Sequence, residues 1–313
     1  MIEPSRPPAP AAHFYKKEDT PMIHIRTAKP DELPQLKDLW RKCFGDPSAY
    51  VDIFYQRFCS TDQVLVVDDD GEVDSMAAML PGTIQLPDGT DVPVGYVYAL
   101  ATNPYMQGKG HARQLLKFAD DYLQKRGDKA MVLVPASPSL HRFFEALGMD
   151  ECFATRKVEF LTSNLSGDTG GAVMSTISPR EYNEIREGYL KGTFHMTYTD
   201  HMISFQQIGS HLAYGDLYKI EVDGVVGCAA IEYVQKRRLL VKELLIPTEK
   251  MAKAVEVIAK DMEASRYHVR TPAFWDGLPG SYTQAFGMIK WYDLGLHSQY
   301  FSQQDAYLGL GFD

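Results

Sequence analysis

No run of apolar residues in this 313-residue chain reaches the ~18 that a helix needs to span a bilayer, so the reading contains no helical membrane segment. Cysteine is scarce. The four, Cys43, Cys59, Cys152 and Cys228, show no close pairing, and in a chain this long they read as reduced core residues of a cytoplasmic protein, not as a disulfide framework. The nine histidines include no H-x-x-x-H spacing and no Cys/His cluster, so no metal is expected. There is no basic stripe: the net charge is −9, and the single cluster Lys236-Arg237-Arg238 reads as a solvated hairpin tip, which argues against a nucleic-acid partner. A mildly acidic surface favours a cationic acceptor over an anionic one. Met1–Thr20 lacks the apolar core of a signal peptide, and residues 1–21 are expected to be a disordered leader.

What the chain does contain is a glycine-spaced turn, Asn103-Pro104-Tyr105-Met106-Gln107-Gly108-Lys109-Gly110-His111-Ala112, between a β-rich run at Val94–Ala101 and a helical pattern through Leu115, Leu116, Ala119 and Leu123. A turn that leaves a strand and opens a helix presents unpaired N–H groups, backed by the positive end of the helix dipole, to an anion. The glycines keep the backbone accessible. A P-loop would need G-x-x-x-x-G-K-S/T and a dinucleotide fold G-x-G-x-x-G. Neither is present, because Gly110 follows Lys109 and Arg113 stands where a third glycine would fall.

The pattern that is present, Q-x-x-G-x-A from Gln107 to Ala112, resembles the acyl-CoA pyrophosphate loop of the GNAT superfamily of N-acetyltransferases. The surroundings resemble it too. A strand at Ile23–Arg26, helices from Pro30 and Pro47, strands at Gln63–Val67, Val73–Leu86 and Val94–Ala101, the loop helix, a strand at Ala130–Val134, a helix over Ser139–Leu147 and a strand at Cys152–Leu161 give the order β-α-α-β-β-β-α-β-α-β. The resemblance implies an acetyl-CoA-dependent N-acyltransferase acting on a primary amine of a small molecule or peptide. By it, acyl-CoA contacts fall to Leu100, Ala101 and Thr102, to Gln107, Gly108, Lys109, Gly110, His111 and Ala112, and to Ser137.

The chain is about twice the length such a domain needs. The small, polar segment 163–171 is expected to be a linker between an acyl-CoA-binding unit at 22–162 and a second at 172–313. In the latter, helices at Pro179–Tyr189 and Asp200–Ile208 precede strands at Leu217–Val222, Val225–Tyr233 and Leu239–Ile246, and then a helix bearing Met251, Val255 and Ile258. Gln284-Ala285-Phe286-Gly287-Met288 echoes Glu145-Ala146-Leu147-Gly148-Met149. The second copy has no glycine loop, since Ile246-Pro247-Thr248 enters its helix directly with Thr248 as N-cap. The fold class expected is therefore α/β (α+β): two tandem GNAT-like units, each a mixed, mostly antiparallel sheet flanked by helices, the second degenerate and walling the acceptor site.

The catalytic groups are less legible. The superfamily commonly carries a tyrosine acid four residues before the glycine of the closing turn, and here that position is Phe144, which has no proton to give. His141, one turn earlier, is a substitute acid or simply a polar helix residue. Tyr96 and Tyr98 share a strand face and either line the acceptor site, with Tyr98 in a catalytic role, or pack the core. The apolar, glycine-spaced end Ala306–Asp313 is expected to be buried. In Eis-like acetyltransferases, which this tandem order distantly resembles, the terminal carboxylate serves as base, and that likeness points to Asp313. A non-catalytic acyl-CoA-binding module, and transfer of another acyl or an aminoacyl group, stand as alternatives.

Overall fold

The computed structural model describes residues 23–235, 237–300 and 306–312; the leader expected at 1–21 and the carboxylate of Asp313 lie outside the described residues. β1 (Ile23–Thr27) is followed by a 3-10 turn at Pro30–Glu32 and by α1 (Leu33–Phe44), which buries Leu36, Leu39 and Trp40. α2 (Ser48–Ile53) runs on as a π-helical turn at Phe54–Phe58. β2 (Val64–Asp69), β3 (Glu72–Gln85) and β4 (Asp91–Thr102) form a meander, and α3 (His111–Arg126) then lies across it on Leu115, Leu116, Ala119 and Leu123, the spacing of one helix face. β5 (Ala130–Leu133), α4 (Pro138–Glu145) and β6 (Asp150–Leu161) complete the first half in the order its sequence predicts.

The second half starts with β7 (Val173–Thr176) and α5 (Pro179–Leu190), whose N-cap Ser178 accepts from the Glu181 N–H at 3.2 Å. β8 (His195–Thr197) leads to α6 (Asp200–Leu212), capped by Thr199. β9 (Asp216–Val222), β10 (Val225–Gln235) and β11 (Arg238–Leu245) form a second meander; α7 (Thr248–Asp261), β12 (Arg266–Pro272), β13 (Tyr282–Trp291) and α8 (Leu294–Tyr300) follow. Two readings are corrected here. Gln284–Met288 is strand, not a closing helix and turn, because β13 pairs on both sides, with β5 and β6, and buries the consecutive run Phe286–Ile289. Thr248 is not an N-cap: Pro247 holds that position, and the Thr248 hydroxyl donates to the Asp276 carbonyl at 2.8 Å.

The fold is mixed α/β, with one large sheet flanked by helices. Twelve strands run β1-β2-β3-β4-β5-β13-β6-β12-β11-β10-β9-β7, and β8 pairs with β3. Among the strand pairs of the described residues, β4–β5 and β11–β12 alone are parallel, each pair joined by a crossover helix, α3 or α7. Sequence patterns did not disclose that the halves share this sheet. β13 lies between β5 and β6, and β6 between β13 and β12, so each half places its last strand in the other's company. Residues 165–171 lie outside helices and strands, tied to α7 by Glu256, which accepts from the N–H groups of Ser166 and Gly167, and by the Lys253–Asp168 pair.

The segment 306–312 is buried, as its composition suggested. It enters between β6 and β8, where Ala306 bridges Phe153 and Tyr307 bridges His195, and the Met196 N–H donates to the Tyr307 carbonyl at 2.9 Å. Beneath it Arg186 and Glu243 form an ion pair (Nε to Oε2, 3.2 Å) with both side chains fully buried. The Tyr182 hydroxyl donates to the same carboxylate at 2.6 Å.

Candidate active site

The site begins with a break in β4. Met76 pairs with Ala101 and Ala78 with Tyr98, so Ala99 and Leu100 stand opposite the single residue Ala77, a bulge in which Ala99 has φ +50°. On the other side, β4 pairs with β5 only from Val94–Ala130 to Tyr96–Val132. Beyond Tyr96 the two parallel strands part. The opening is a cleft of about 980 Å³ that runs from Gln107, Gly108 and Ala112, past Leu133, Val134 and Ala136, to Tyr96, Tyr98, Trp40 and Tyr50, and ends among Phe205, Gln206, Glu232 and Lys242.

The glycine-rich loop forms the first end. Asn103 accepts from the Tyr105 N–H at 3.2 Å and fixes a 3-10 turn at Pro104–Met106. Gly108 and Gly110 have φ of +82° and +87°, a region that strains any residue with a Cβ, and Gly110 is the N-cap of α3 with no side chain over the helix end. A Cβ at Gly108 would meet nothing within 4 Å, so the glycine is required there by backbone conformation, and the space above it is open.

Of the residues singled out in the sequence, Tyr98, Leu100, Thr102, Gln107, Gly108 and Ala112 line the cleft. Ala101 is buried, its carbonyl accepting from Ser75 Oγ at 2.8 Å. The Lys109 ammonium lies 3.2 Å from Met106 Sδ. His111 turns its imidazole inward, with Nδ1 4.0 Å from Asp74 Oδ2 beneath the loop; burial pushes the Asp74 carboxyl up and the His111 charge opposes this. Ser137 precedes α4 and meets Ser139 Oγ at 2.9 Å. His141 is not among the lining residues: its Nδ1 is 2.7 Å from Glu151 Oε1 on β6. Phe144 does line the cleft, at the place where the resemblance puts a tyrosine.

Tyrosine hydroxyls meet the buried tail. Tyr96 donates to the Gly311 carbonyl, Tyr98 donates to the Phe312 carbonyl at 3.1 Å, and Tyr98 and Tyr50 hydroxyls are 2.7 Å apart. Burial, then the Tyr98 neighbour, pushes the Tyr50 hydroxyl far up, so it stays protonated. The far wall, from Phe205 to Lys242, went unrecognised in the sequence because those residues are brought together only by the packing of α6 on β10. The one signal was Glu232 itself, a carboxylate beside the apolar run Cys228–Ile231.

The site thus combines a split strand pair, an open cleft between its arms and a glycine-spaced helix start. Residues 24–147 match the family model of the acetyltransferase (GNAT) domain, so this part of the chain is similar to that domain. Solved structures of similar fold include GCN5-related N-acetyltransferases from Anabaena variabilis (13% identity over 87% of this chain and 74% of that one, TM-score 0.67) and Kribbella flavida (14%, 89% and 73%, 0.66). Eis1 from Mycobacterium abscessus is also similar (13%, 87% and 74%, 0.61). No curated protein matches. No helix among the described residues is long and apolar enough to cross a membrane, and no group of three or more His, Cys, Asp or Glu there is placed to hold a metal ion.

Proposed function

We propose that the chain transfers an acetyl group from acetyl-CoA to a primary amine of a small molecule or peptide by direct attack of the amine on the thioester. The observation that carries this reading is the continuity of the cleft from Gly108 to Glu232 through the opening between β4 and β5. The residues present fit acetyl-CoA. The open backbone at Gly108 and the uncapped start of α3 suit a pyrophosphate, and the parted strands, Leu100–Thr102 on one side and Val134–Ala136 on the other, suit a pantetheine arm. Acetyl-CoA supplies the thioester, whose thiol is a good leaving group. The protein's part is to align the amine, exclude water and accept its proton.

Residues 22–162 are proposed as the acyl-CoA half, 163–171 as the linker and 172–313 as the half that walls the acceptor side, a division supported by Phe205, Gln206, Glu232 and Lys242 all coming from beyond the linker. Asp313 is proposed as the base, because its neighbours Gly311 and Phe312 are held against Tyr96 and Tyr98 in the cleft. Thiol release from acetyl-CoA, measured with a panel of primary amines, tests the function. Phe144 favours the second reading, a module that binds acyl-CoA without turnover, and that reading requires affinity for acetyl-CoA with no release above the rate without protein.

A further inference from the structure

At the end of the cleft opposite the glycine loop, Glu232 is held in a fixed orientation through one oxygen only. Gln206 Nε2 donates to its Oε1 at 2.6 Å, Ser210 Oγ donates to the same atom at 3.1 Å, and Lys242 Nζ lies 3.6 Å from it. Its other oxygen, Oε2, has no hydrogen-bond partner among the described residues, and Glu232 lines the cleft while only 9% of its surface is accessible. That oxygen is not sealed from solvent, and a ligand in the cleft can supply its donor. Trp40, Tyr50 and Phe205 line the same cleft, the Tyr50 ring packing on both of the others. The Tyr50 hydroxyl, 2.7 Å from that of Tyr98, belongs to the same cleft lining as Glu232.

We propose that Glu232 is the acceptor-recognition carboxylate of this cleft, selecting an amine that carries a second, remote ammonium across an apolar or aromatic spacer. This rests on reading the cleft as an amine site. The reacting amine lies toward Tyr98 and the strand opening, while the second ammonium donates to Glu232 Oε2. The spacer lies on aromatic faces, which attract cations as well as apolar groups. Gln206 and Ser210 are positioning residues: they saturate Oε1, so the carboxylate presents Oε2 to the cleft and cannot turn away.

The test is calorimetric titration of two probes, p-xylylenediamine and 4-methylbenzylamine, into protein saturated with CoA. They match in shape and differ by one ammonium. A charge-assisted hydrogen bond in the cleft predicts that the wild type binds the diamine about tenfold or more tightly, and that Glu232→Gln removes most of this preference with CoA affinity unchanged. Ser210→Ala, which keeps the charge and frees the carboxylate to rotate, reduces the preference by less. Equal affinities in the wild type, no binding of either probe, or a preference that Glu232→Gln retains would overturn the proposal. If that variant does not fold, an unaltered preference in both Ser210→Ala and Gln206→Leu overturns it instead. Thiol release from acetyl-CoA is followed in parallel: selective binding without release counts against acetyl transfer and supports the recognition site.

Discussion

Tyr96, on the strand leading into the glycine-rich loop, donates its hydroxyl to the carbonyl of Gly311, 215 residues further along the chain. Tyr98, two residues on and on the same strand face, does the same for Phe312. The Phe312 ring packs edge-on to both tyrosines and to Tyr198, so the end of the described chain is built into the wall of the cleft. Deleting residues 311–313 should lower kcat by the order of 10²-fold expected for a lost general base, with acetyl-CoA binding nearly unchanged. A C-terminal tag, which keeps Gly311 and Phe312 but moves the terminal carboxylate, isolates that group from the packing. Steady-state kinetics at wild-type rates in both variants would remove Asp313 from the mechanism.

Phe144→Tyr restores a hydroxyl at the position where the superfamily commonly carries its acid. Phe144 is buried against the α3 side of the sheet and lines the cleft, so the added oxygen is expected to reach the cleft without disturbing the core. Turnover should be unchanged or higher at equal acetyl-CoA affinity. A large fall in kcat would show that this position must stay apolar.

The loop assignment predicts a ligand-dependent stability change. At about 100 times its dissociation constant, CoA should stabilise the protein by roughly 2.7 kcal/mol. Gly110→Glu sets a negative side chain at the uncapped start of α3, where φ is +87°. The apo protein should lose about 1–2 kcal/mol to backbone strain. The CoA-induced shift in Tm should disappear, and a shift of wild-type size would place the pyrophosphate elsewhere.

Calorimetry should find one CoA per chain. The unit β11-α7-β12 repeats the parallel geometry of β4-α3-β5, but α7 begins at Pro247 with the Lys250 N–H bonded to the Pro247 carbonyl at 2.8 Å, and no glycine opens the turn. The cavity beside Leu244, Met251 and Val269 has a volume of about 10 Å³. Two equivalent sites would contradict this.

Acid sensitivity should concentrate at Arg26, which bonds Glu32 and Asp68. The Arg26 hydrogen bond holds the Glu32 carboxyl below its ordinary range; burial opposes ionisation of Asp68, but Arg26 and the Gly71 N–H outweigh it. Both carboxyls have folded-state values below their unfolded ones. Their contribution is therefore complete above the ordinary carboxylate range and is lost as pH falls through the depressed folded values. Arg26→Met should cost about 1–3 kcal/mol at pH 7 and progressively less in acid, read from urea midpoints. A cost independent of pH would show that the ion pairs contribute nothing.

The first half was legible because its signals are local. Leu115 to Leu123 recur at helical spacing, Gly108 and Gly110 announce positive φ, and Pro87–Thr90 closes a hairpin in which the Gly89 N–H meets the Leu86 carbonyl at 2.8 Å. The short strands Val173–Thr176 and His195–Thr197 carry too few residues for alternation to register. Gln284–Met288 was misread because Gly287 resembles a helix-ending glycine. Its actual neighbours explain it: a Cβ there would lie 2.8 Å from Leu308 and 3.2 Å from Phe153, where the tail crosses β6 and β13. The far wall of the cleft was hidden for the same reason, since Tyr50, Phe205 and Glu232 meet only through tertiary packing.

The exchanged strands bear on how the chain emerges from a ribosome. β5 has no neighbour on its outer edge until Tyr282–Trp291 has been made, and β6 likewise waits for both its partners. From Leu161 to Trp291 is 130 residues, roughly 6–26 s of synthesis at ordinary rates. Throughout that interval the nascent first half carries an open β edge, the kind of edge to which stray strands add. Slow synthesis between these two points should therefore increase aggregation more than the same delay imposed after Trp291.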